Sequence, residues 1–280
     1  MSDSTPSKID LAFARLRDAG RMAFMPFITA GDPDVDTTAR LIELLADAGV
    51  DLIEIGFPYS DPIADGPVIQ ASYQRALSRG LHVADVFRCV RELSARRTDL
   101  PPLVGMVAYS IIFRIGTDKF LSEAKSAGFS GLIVPDYPAD EAADFAKAVV
   151  AHGLDPVQLI APTTTAARTA TILETSRGFL YCISVAGTTG VRRELPEALR
   201  TQLKDLRGRT KLPLAVGFGV SRPEQVHELR GLADGVIVGS AIVKGVGSIT
   251  EQGRPRDAAF AEIRTLVDGM LAASKNAKSA

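Results

Sequence analysis

The stretch Leu52-Ile-Glu-Ile-Gly-Phe-Pro-Tyr-Ser-Asp-Pro-Ile-Ala-Asp-Gly-Pro67 runs from a short apolar strand directly into a loop. Its first four residues are apolar except for Glu54, a pattern that is typical of a strand buried on both faces. An ionised carboxylate inside such a strand is costly unless it is paired or faces water. We therefore expect Glu54 to point into a cavity where its carboxylate is needed.

The loop that follows this strand is rich in proline, aspartate and glycine. Its prolines fix φ, and Gly66 permits backbone conformations that other residues avoid, so the composition predicts a rigid turn. Such a turn places Asp65 close to Glu54. For each acid taken alone an ordinary structural role is the alternative, because Asp61 and Asp65 could cap turns and Glu54 could lie in an ion pair.

Apolar strands and helical patterns alternate along the rest of the chain. From Val35 to Ala48, for example, Leu41, Leu44 and Leu45 fall at helical spacing and predict one apolar face. Eight such units predict a single (β/α)8 TIM barrel, with an extra N-terminal helix near Ile9–Leu16. The predicted strands are Phe24–Thr29, Leu52–Ile55, Leu103–Ala108, Leu132–Val134, Pro156–Ile160, Phe179–Ser184, Leu214–Val216 and Gly235–Val238.

An open doubly wound sheet is the alternative fold. It would usually show fewer units and a glycine-rich turn after the first strand, but Ala30-Gly-Asp-Pro33 contains no G-x-G-x-x-G. One domain over residues 1–280 is expected, because no linker divides the chain; about 1–8 and about 274–280 are expected to be flexible ends. Active sites of such barrels lie where the strands end, which is where Glu54 and Asp65 fall.

The composition narrows the classes of function. A net charge of −1 and a pI near 6.3 give no electrostatic reason to expect nucleic acid or an anionic membrane as a partner. The start of the chain lacks an apolar leader, and no stretch reaches about 18 continuous apolar residues. A soluble, cytoplasmic protein is expected. Cys89 and Cys182 are expected to be reduced, and the three histidines show no metal-ligand spacing, so no metal is expected.

Three glycine-rich segments follow the sixth, seventh and eighth predicted strands. They are Ala186-Gly-Thr-Thr-Gly190, Gly217-Phe-Gly219 and Gly239-Ser240, the last at the start of a short helix. Small residues let backbone N–H groups approach an anion, and a helix N-terminus adds a favourable dipole. Each glycine could serve the turn alone, but their shared place at the rim favours a phosphate site.

The sequence closely resembles the tryptophan synthase alpha chain family over nearly its whole length. The acidic loop carries the resemblance together with six further motifs in the family's order and spacing. These are Pro26-Phe-Ile-Thr-Ala-Gly-Asp-Pro33, Val134-Pro-Asp-Tyr-Pro138, Ala161-Pro-Thr-Thr164, Gly187-Thr-Thr-Gly190, Val216-Gly-Phe-Gly-Val220 and Val238-Gly-Ser-Ala-Ile-Val243. The resemblance implies retro-aldol cleavage of indole-3-glycerol phosphate to indole and D-glyceraldehyde 3-phosphate. It also implies transfer of indole to a beta chain that carries pyridoxal phosphate, in an alpha2-beta2 assembly, with no cofactor in this chain.

The resemblance also implies roles for individual residues. Glu54 is expected to be the general acid-base group and Asp65 to bind the indole N–H, with Tyr181 beside Glu54 either catalytic or simply a core aromatic. The expected substrate-binding residues are Phe27, Thr189, Gly190, Phe218, Gly219, Gly239 and Ser240, and the expected partner interface includes Tyr59, Asp61 and Asp136. Phe27 and Phe218 are expected to flank the indole ring, and the glycines with Ser240 to hold the phosphate.

Departures from the family's usual pattern affect the rim. Ser110 stands where asparagine is common, Val185-Ala186 where some members have Arg-Ser, and Tyr59 where phenylalanine is usual. They put partner affinity and loop closure in doubt and leave the reaction intact. Residues 57–67 and 185–195 form long loops, expected to act as a lid in which Thr189 bonds Asp65.

Three other functions remain to be weighed. A Schiff-base aldolase is disfavoured because the predicted strands contain no lysine. A purely regulatory subunit would need neither Glu54 nor Asp65. A stand-alone lyase that releases free indole is an alternative that the sequence leaves open.

Overall fold

The computed structural model of the protein describes residues 5–63, 65–137, 142–183, 196–217 and 219–275. Eight parallel strands close into a barrel in which each strand pairs with its neighbours in chain order, β1 pairing with β8. The predicted barrel is therefore confirmed. The strands are β1 (Ala23–Thr29), β2 (Ile53–Gly56), β3 (Leu103–Met106), β4 (Gly131–Ile133), β5 (Asp155–Ile160), β6 (Leu180–Ile183), β7 (Leu214–Gly217) and β8 (Gly235–Val238).

Helices surround the barrel and pack their apolar faces against its outer side. They are α1 (Lys8–Asp18), α2 (Val35–Ala48), α3 (Pro67–Ser78), α4 (Val83–Arg96), α5 (Tyr109–Ile115), α6 (Thr117–Ala127), α7 (Ala142–Ala151), α8 (Ala166–Thr175), α9 (Glu197–Arg209), α10 (Pro223–Leu229), α11 (Ser240–Glu251) and α12 (Arg256–Ser274). Within the described ranges, no helix is long and apolar enough to cross a membrane.

The extra helix α1 lies across the base of the barrel, where the strands begin. Ser7 caps it, and the Ser7 hydroxyl also donates to Asp155 at the start of β5 over 2.5 Å. Phe13 of α1 contacts Phe179, just before β6, with ring centroids 5.8 Å apart. The apolar face of α1 belongs to the same buried cluster as the residues that fill the inside of the barrel. The base of the barrel is thus closed by packed side chains.

Two helices differ from the prediction. The third strand ends at Met106, two residues before the predicted end at Ala108, and α5 begins at Tyr109 without having been predicted. The Tyr109 N–H donates to the Asp136 side chain over 2.8 Å, a contact from 27 positions further along the chain that local sequence does not show. The helix that starts at Ser240 was expected to be short, but it runs for 12 residues.

Candidate active site

Glu54 lies inside the barrel near the end of β2. It pairs in register with Phe27 of β1 and Val104 of β3, and Leu52, two positions earlier on the same side of the strand, belongs to the inner core. Only 3% of Glu54 is exposed, and neither carboxylate oxygen has a hydrogen-bond partner among the described residues. Burial and the nearby Asp65 charge raise the pKa of Glu54 to about 8. At neutral pH the group is therefore mostly protonated.

Asp65 lies in the loop between β2 and α3, whose residues 57–66 connect Gly56 to Pro67. Burial raises the pKa of Asp65 to about 6, and a hydrogen bond from the Tyr59 side chain partly offsets that rise. Asp65 is therefore mostly ionised at pH 7, when Glu54 is mostly neutral. Because the Asp65 charge acts on Glu54, the two acids are near neighbours, one a proton donor and the other an anion, which is the arrangement that acid-base chemistry needs.

Phe27 forms an apolar platform beside the two acids. A side chain at Gly56 would contact the Phe27 ring at 2.5 Å, and a side chain at Gly239 would meet it at 3.3 Å. The Phe27 ring therefore lies between these two glycines, one on β2 and the other after β8. A Cβ at Gly56 would overlap the ring, whereas a Cβ at Gly239 would require the ring to shift by a few tenths of an ångström. The arrangement presents a planar apolar surface near Glu54.

Two buried tyrosines complete the wall around Glu54. A Cβ at Gly217 would overlap the ring of Tyr181, so that ring leans over the end of β7. Burial, with the Glu54 charge next in size, raises the pKa of Tyr181 well above its ordinary value. Tyr73 of α3 was not predicted to take part, yet its hydroxyl would lie 2.9 Å from a Cβ at Gly56. Its helical spacing with Ile69 and Ala76 predicts only a buried face.

Gly219 and Gly239-Ser240 lie at the same rim as the two acids. Gly219 adopts a φ of +86°, in the left-handed region, and its carbonyl accepts a hydrogen bond from Gln225 over 2.9 Å. Gly239 is the N-cap residue of α11, and Ser240 is the first residue of that helix. The first N–H groups of a helix have no acceptor within it, so α11 offers backbone donors and a positive dipole end. This is suitable for holding an anionic group.

Several predicted residues lie outside the described ranges. These are Thr189, Gly190 and Phe218, together with the whole of the predicted lid segment 185–195. Their roles stay predictions, as does the hydrogen bond between Thr189 and Asp65.

The predicted interface residues Tyr59, Asp61 and Asp136 meet at one part of the rim. Burial raises the pKa of Tyr59 to about 12, and the charges of Asp65, Asp136 and Asp61 add to that rise. Sequence reasoning missed two large apolar side chains of the rim, Ile63 in the loop after β2 and Phe113 in α5, which are 92% and 73% exposed. A signal for Ile63 was present, since an isoleucine within a polar, proline-rich loop has no core to pack against.

Comparisons with known proteins agree with this geometry. The family model described as tryptophan synthase alpha chain matches residues 13–274. A tryptophan synthase alpha chain from Rhodopirellula baltica is 49% identical over 247 residues, which cover 86% of this chain and 87% of the relative. One from a Thermoanaerobacter species is 40% identical over 264 residues, covering 94% and 98% respectively.

Solved structures are similar over almost the whole chain. The tryptophan synthase alpha chain of Legionella pneumophila superposes with a TM-score of 0.88 at 34% identity, covering 99% of this chain and 100% of that one. A chain of tryptophan synthase from M. tuberculosis in its aminoacrylate-bound form gives a TM-score of 0.83 at 31% identity, covering 96% and 99%.

Proposed function

This chain belongs to the tryptophan synthase alpha chain family, and we propose that Glu54 and Asp65 carry out its lyase reaction on indole-3-glycerol phosphate. The observation that supports this most strongly is a buried, unpartnered carboxyl group at the end of a barrel strand, beside a second acid of different pKa. A buried polar group without a partner is costly to the fold. Its presence is explained if the partner is a substrate.

The cleavage needs a proton at indole C3 and a base for the glycerol hydroxyl. Glu54, neutral at pH 7, donates its proton to C3 as the ring becomes an indolenine. The Glu54 carboxylate formed in that step then accepts the proton of the glycerol hydroxyl, while the carbon–carbon bond breaks to give indole and the aldehyde. One residue thus ends the cycle as it began, and the proton count balances.

Asp65 stabilises the positive charge that develops on the indole nitrogen. Its ionised carboxylate accepts a hydrogen bond from the indole N–H, an interaction that strengthens as the ring becomes cationic. The two pKa values predict a rate that falls below about pH 6, as Asp65 is protonated, and above about pH 8, as Glu54 loses its proton. Tyr181 limits the space around Glu54.

The remaining groups of the site bind the two ends of the substrate. Phe27 supplies a flat apolar surface for the indole ring. Gly219, Gly239 and Ser240 supply backbone donors and the helix end for the phosphate, which is thereby held where β7 and β8 end. Thr189, Gly190 and Phe218 stay part of the proposal on the ground of their sequence motifs.

The same rim is proposed to contact a tryptophan synthase beta chain that contains pyridoxal phosphate, in an alpha2-beta2 assembly in the cytoplasm. Two exposed apolar side chains, Ile63 and Phe113, support a partner at this face together with the predicted residues Tyr59, Asp61 and Asp136. Large apolar side chains at the surface are typical of interaction sites. This observation favours transfer of indole to a partner over its release by a stand-alone lyase.

The test is direct measurement of indole release by the isolated chain and with a beta chain. We expect Glu54→Gln and Asp65→Asn each to lower kcat at least about 100-fold, because each keeps the shape and removes the proton or the charge. Glu92→Gln, an equivalent change on the exposed side of α4, is the control and should behave as the native chain. Near-normal turnover in either acid variant would refute the assignment.

A further inference from the structure

The loop that carries Asp65 is held by a side chain of the helix that follows it. The Gln70 Nε2 group of α3 donates to two carbonyls of that loop, Pro62 over 3.1 Å and Asp65 over 2.8 Å. Within the loop the Asp65 N–H also donates to the Pro62 carbonyl over 3.1 Å. One amide group thus fixes the backbone on both sides of the turn that contains Asp65.

A second side chain lies beside the Asp65 carboxylate. Tyr59 is close enough to Asp65 to lower the pKa of that carboxyl, and the Tyr59 ring packs against the buried ring of Tyr73, with centroids 5.6 Å apart. Because the Tyr59 hydroxyl stays protonated across the neutral range, it can only donate to the ionised Asp65 carboxylate. Tyr73, in turn, is anchored in the core on α3, the helix that also carries Gln70.

We infer that Gln70 and Tyr59 are positioning residues that fix Asp65, Gln70 through the Asp65 backbone and Tyr59 through its carboxylate. The inference rests on the proposed role of Asp65 in the lyase reaction and adds to it how the carboxylate is aimed. Neither residue touches the reacting atoms.

The expected kinetic effect follows from when Asp65 acts. A carboxylate that stabilises charge formed only in the transition state affects kcat more than KM, and a misplacement of about 1 Å can cost about 100-fold. Substitution of a residue that only stabilises the fold would lower the melting temperature and leave the pH dependence of the reaction unchanged.

For Gln70, the informative change is Gln70→Met, which keeps length and volume but cannot donate. Its matched control is Gln74→Met, one turn along α3, since Gln74 is equally exposed and forms no hydrogen bond within the described ranges. We expect Gln70→Met to lower kcat at least about tenfold with little change in KM, and Gln74→Met to match the native chain. Equal kinetics in the two variants would overturn the role of Gln70.

For Tyr59, the informative change is Tyr59→Phe, with Tyr109→Phe, another tyrosine of the rim, as control. Removal of a donor that favours the ionised carboxylate raises the pKa of Asp65. The acid side of the kcat/KM profile should therefore move to higher pH by at least about half a pH unit, and the rate should recover as pH rises. An unmoved acid side, with full activity at every pH, would overturn the role of Tyr59.

Asp65→Asn is measured in parallel, and it separates the two levels of the proposal. If Asp65→Asn loses activity while the Gln70 and Tyr59 variants match their controls, the positioning inference is wrong and the proposed function stands. If Asp65→Asn keeps its activity, both are wrong. Melting temperatures of all variants identify any that fail to fold. The kcat and KM of the folded variants then decide whether Gln70 and Tyr59 position Asp65.

Discussion

At the scale of single residues, Glu54 lowers the stability of the folded chain and provides a reactive group. Its carboxyl group lies in the barrel interior without a hydrogen-bond partner in the described part of the chain, and burial shifts its pKa to about 8. In the unfolded chain the same group would have its ordinary pKa of about 4.5. Between these two values the folded state keeps a proton that the unfolded state releases.

This difference predicts a pH-dependent gain in stability for Glu54→Gln. Native stability should fall as pH rises from about 4.5 to about 8, since the unfolded state binds fewer protons there. Glutamine imitates the neutral acid at every pH, and each pKa unit corresponds to about 1.4 kcal/mol. Urea unfolding should therefore show a small difference at pH 5 and a gain of several kcal/mol at pH 8.

Glu92→Gln, an exposed counterpart, should show no such trend between the two pH values. A gain by Glu54→Gln that is equal at pH 5 and pH 8 would mean that Glu54 does not hold its proton in the folded chain.

Some of these residue roles could be predicted from the sequence and others could not. Glu54 stood out as the one polar side chain in an apolar strand, and Asp65 as part of a distinctive loop motif. Gln70 did not stand out, and Tyr59 stood out only as an expected interface residue, because their relation to Asp65 depends on which atoms they reach once α3 folds back beside the loop. A hydrogen bond between a loop and the next helix leaves no periodic trace in the sequence.

At the scale of elements, the loop after β7 and the start of α11 form another side of the mouth, which β1 separates from the β2 loop. Gln225 organises that loop, since its side chain accepts from the Ser221 N–H over 2.9 Å and donates to the Gly219 carbonyl. A Cβ at Gly219 would meet no atom within 4 Å among the described residues. Gly219 therefore faces open space, where an anionic group can approach its backbone.

Gly219→Asp should raise KM for indole-3-glycerol phosphate at least about tenfold, by placing a like charge beside the phosphate. Any side chain here also strains the backbone, because φ is +86°. The control is Gly231→Asp, which introduces the same strain because the φ of Gly231 is +74° and a Cβ there also meets no described atom within 4 Å. Gly231 lies between α10 and β8, away from the mouth. The KM of both variants, together with glycerol phosphate binding measured by calorimetry, separates the effect of the added charge from the effect of backbone strain. Equal KM values would place the phosphate elsewhere.

Elements with a clear apolar pattern were predicted closely, and α2 and β8 have the predicted bounds. The missed helix α5 is seven residues long and begins where Asp136 accepts from Tyr109, so its start depends on a tertiary contact. Short elements of this kind carry too few residues for periodicity to define them.

At the scale of the whole molecule, the two ends of the barrel differ in surface chemistry. The mouth combines the acids Asp61 and Asp136 with the exposed apolar side chains of Ile63 and Phe113. The base carries α1, whose exposed apolar residue is Leu11 at 51%. A partner that receives indole is expected to seat on the mouth.

Ile63→Ser and Phe113→Ser should each weaken binding of a beta chain at least about tenfold, because each removes a large apolar contact from the proposed interface. Leu11→Ser makes the same kind of change at the base and should leave binding unchanged. Calorimetric titration with a beta chain measures all three. If Leu11→Ser weakens binding as much as the other two, the partner face has been assigned to the wrong end.

The closed base of the barrel limits where substrate and products can enter and leave the enzyme. With α1 packed under the strands and side chains filling the bore, the part of the chain that the structure describes leaves no passage downward along the barrel axis. Substrate entry, indole departure and aldehyde departure must then share the upper opening. Any path that takes indole onward to a partner has to begin at that same opening, so the receiving protein must leave a gap for the aldehyde or wait until it has gone.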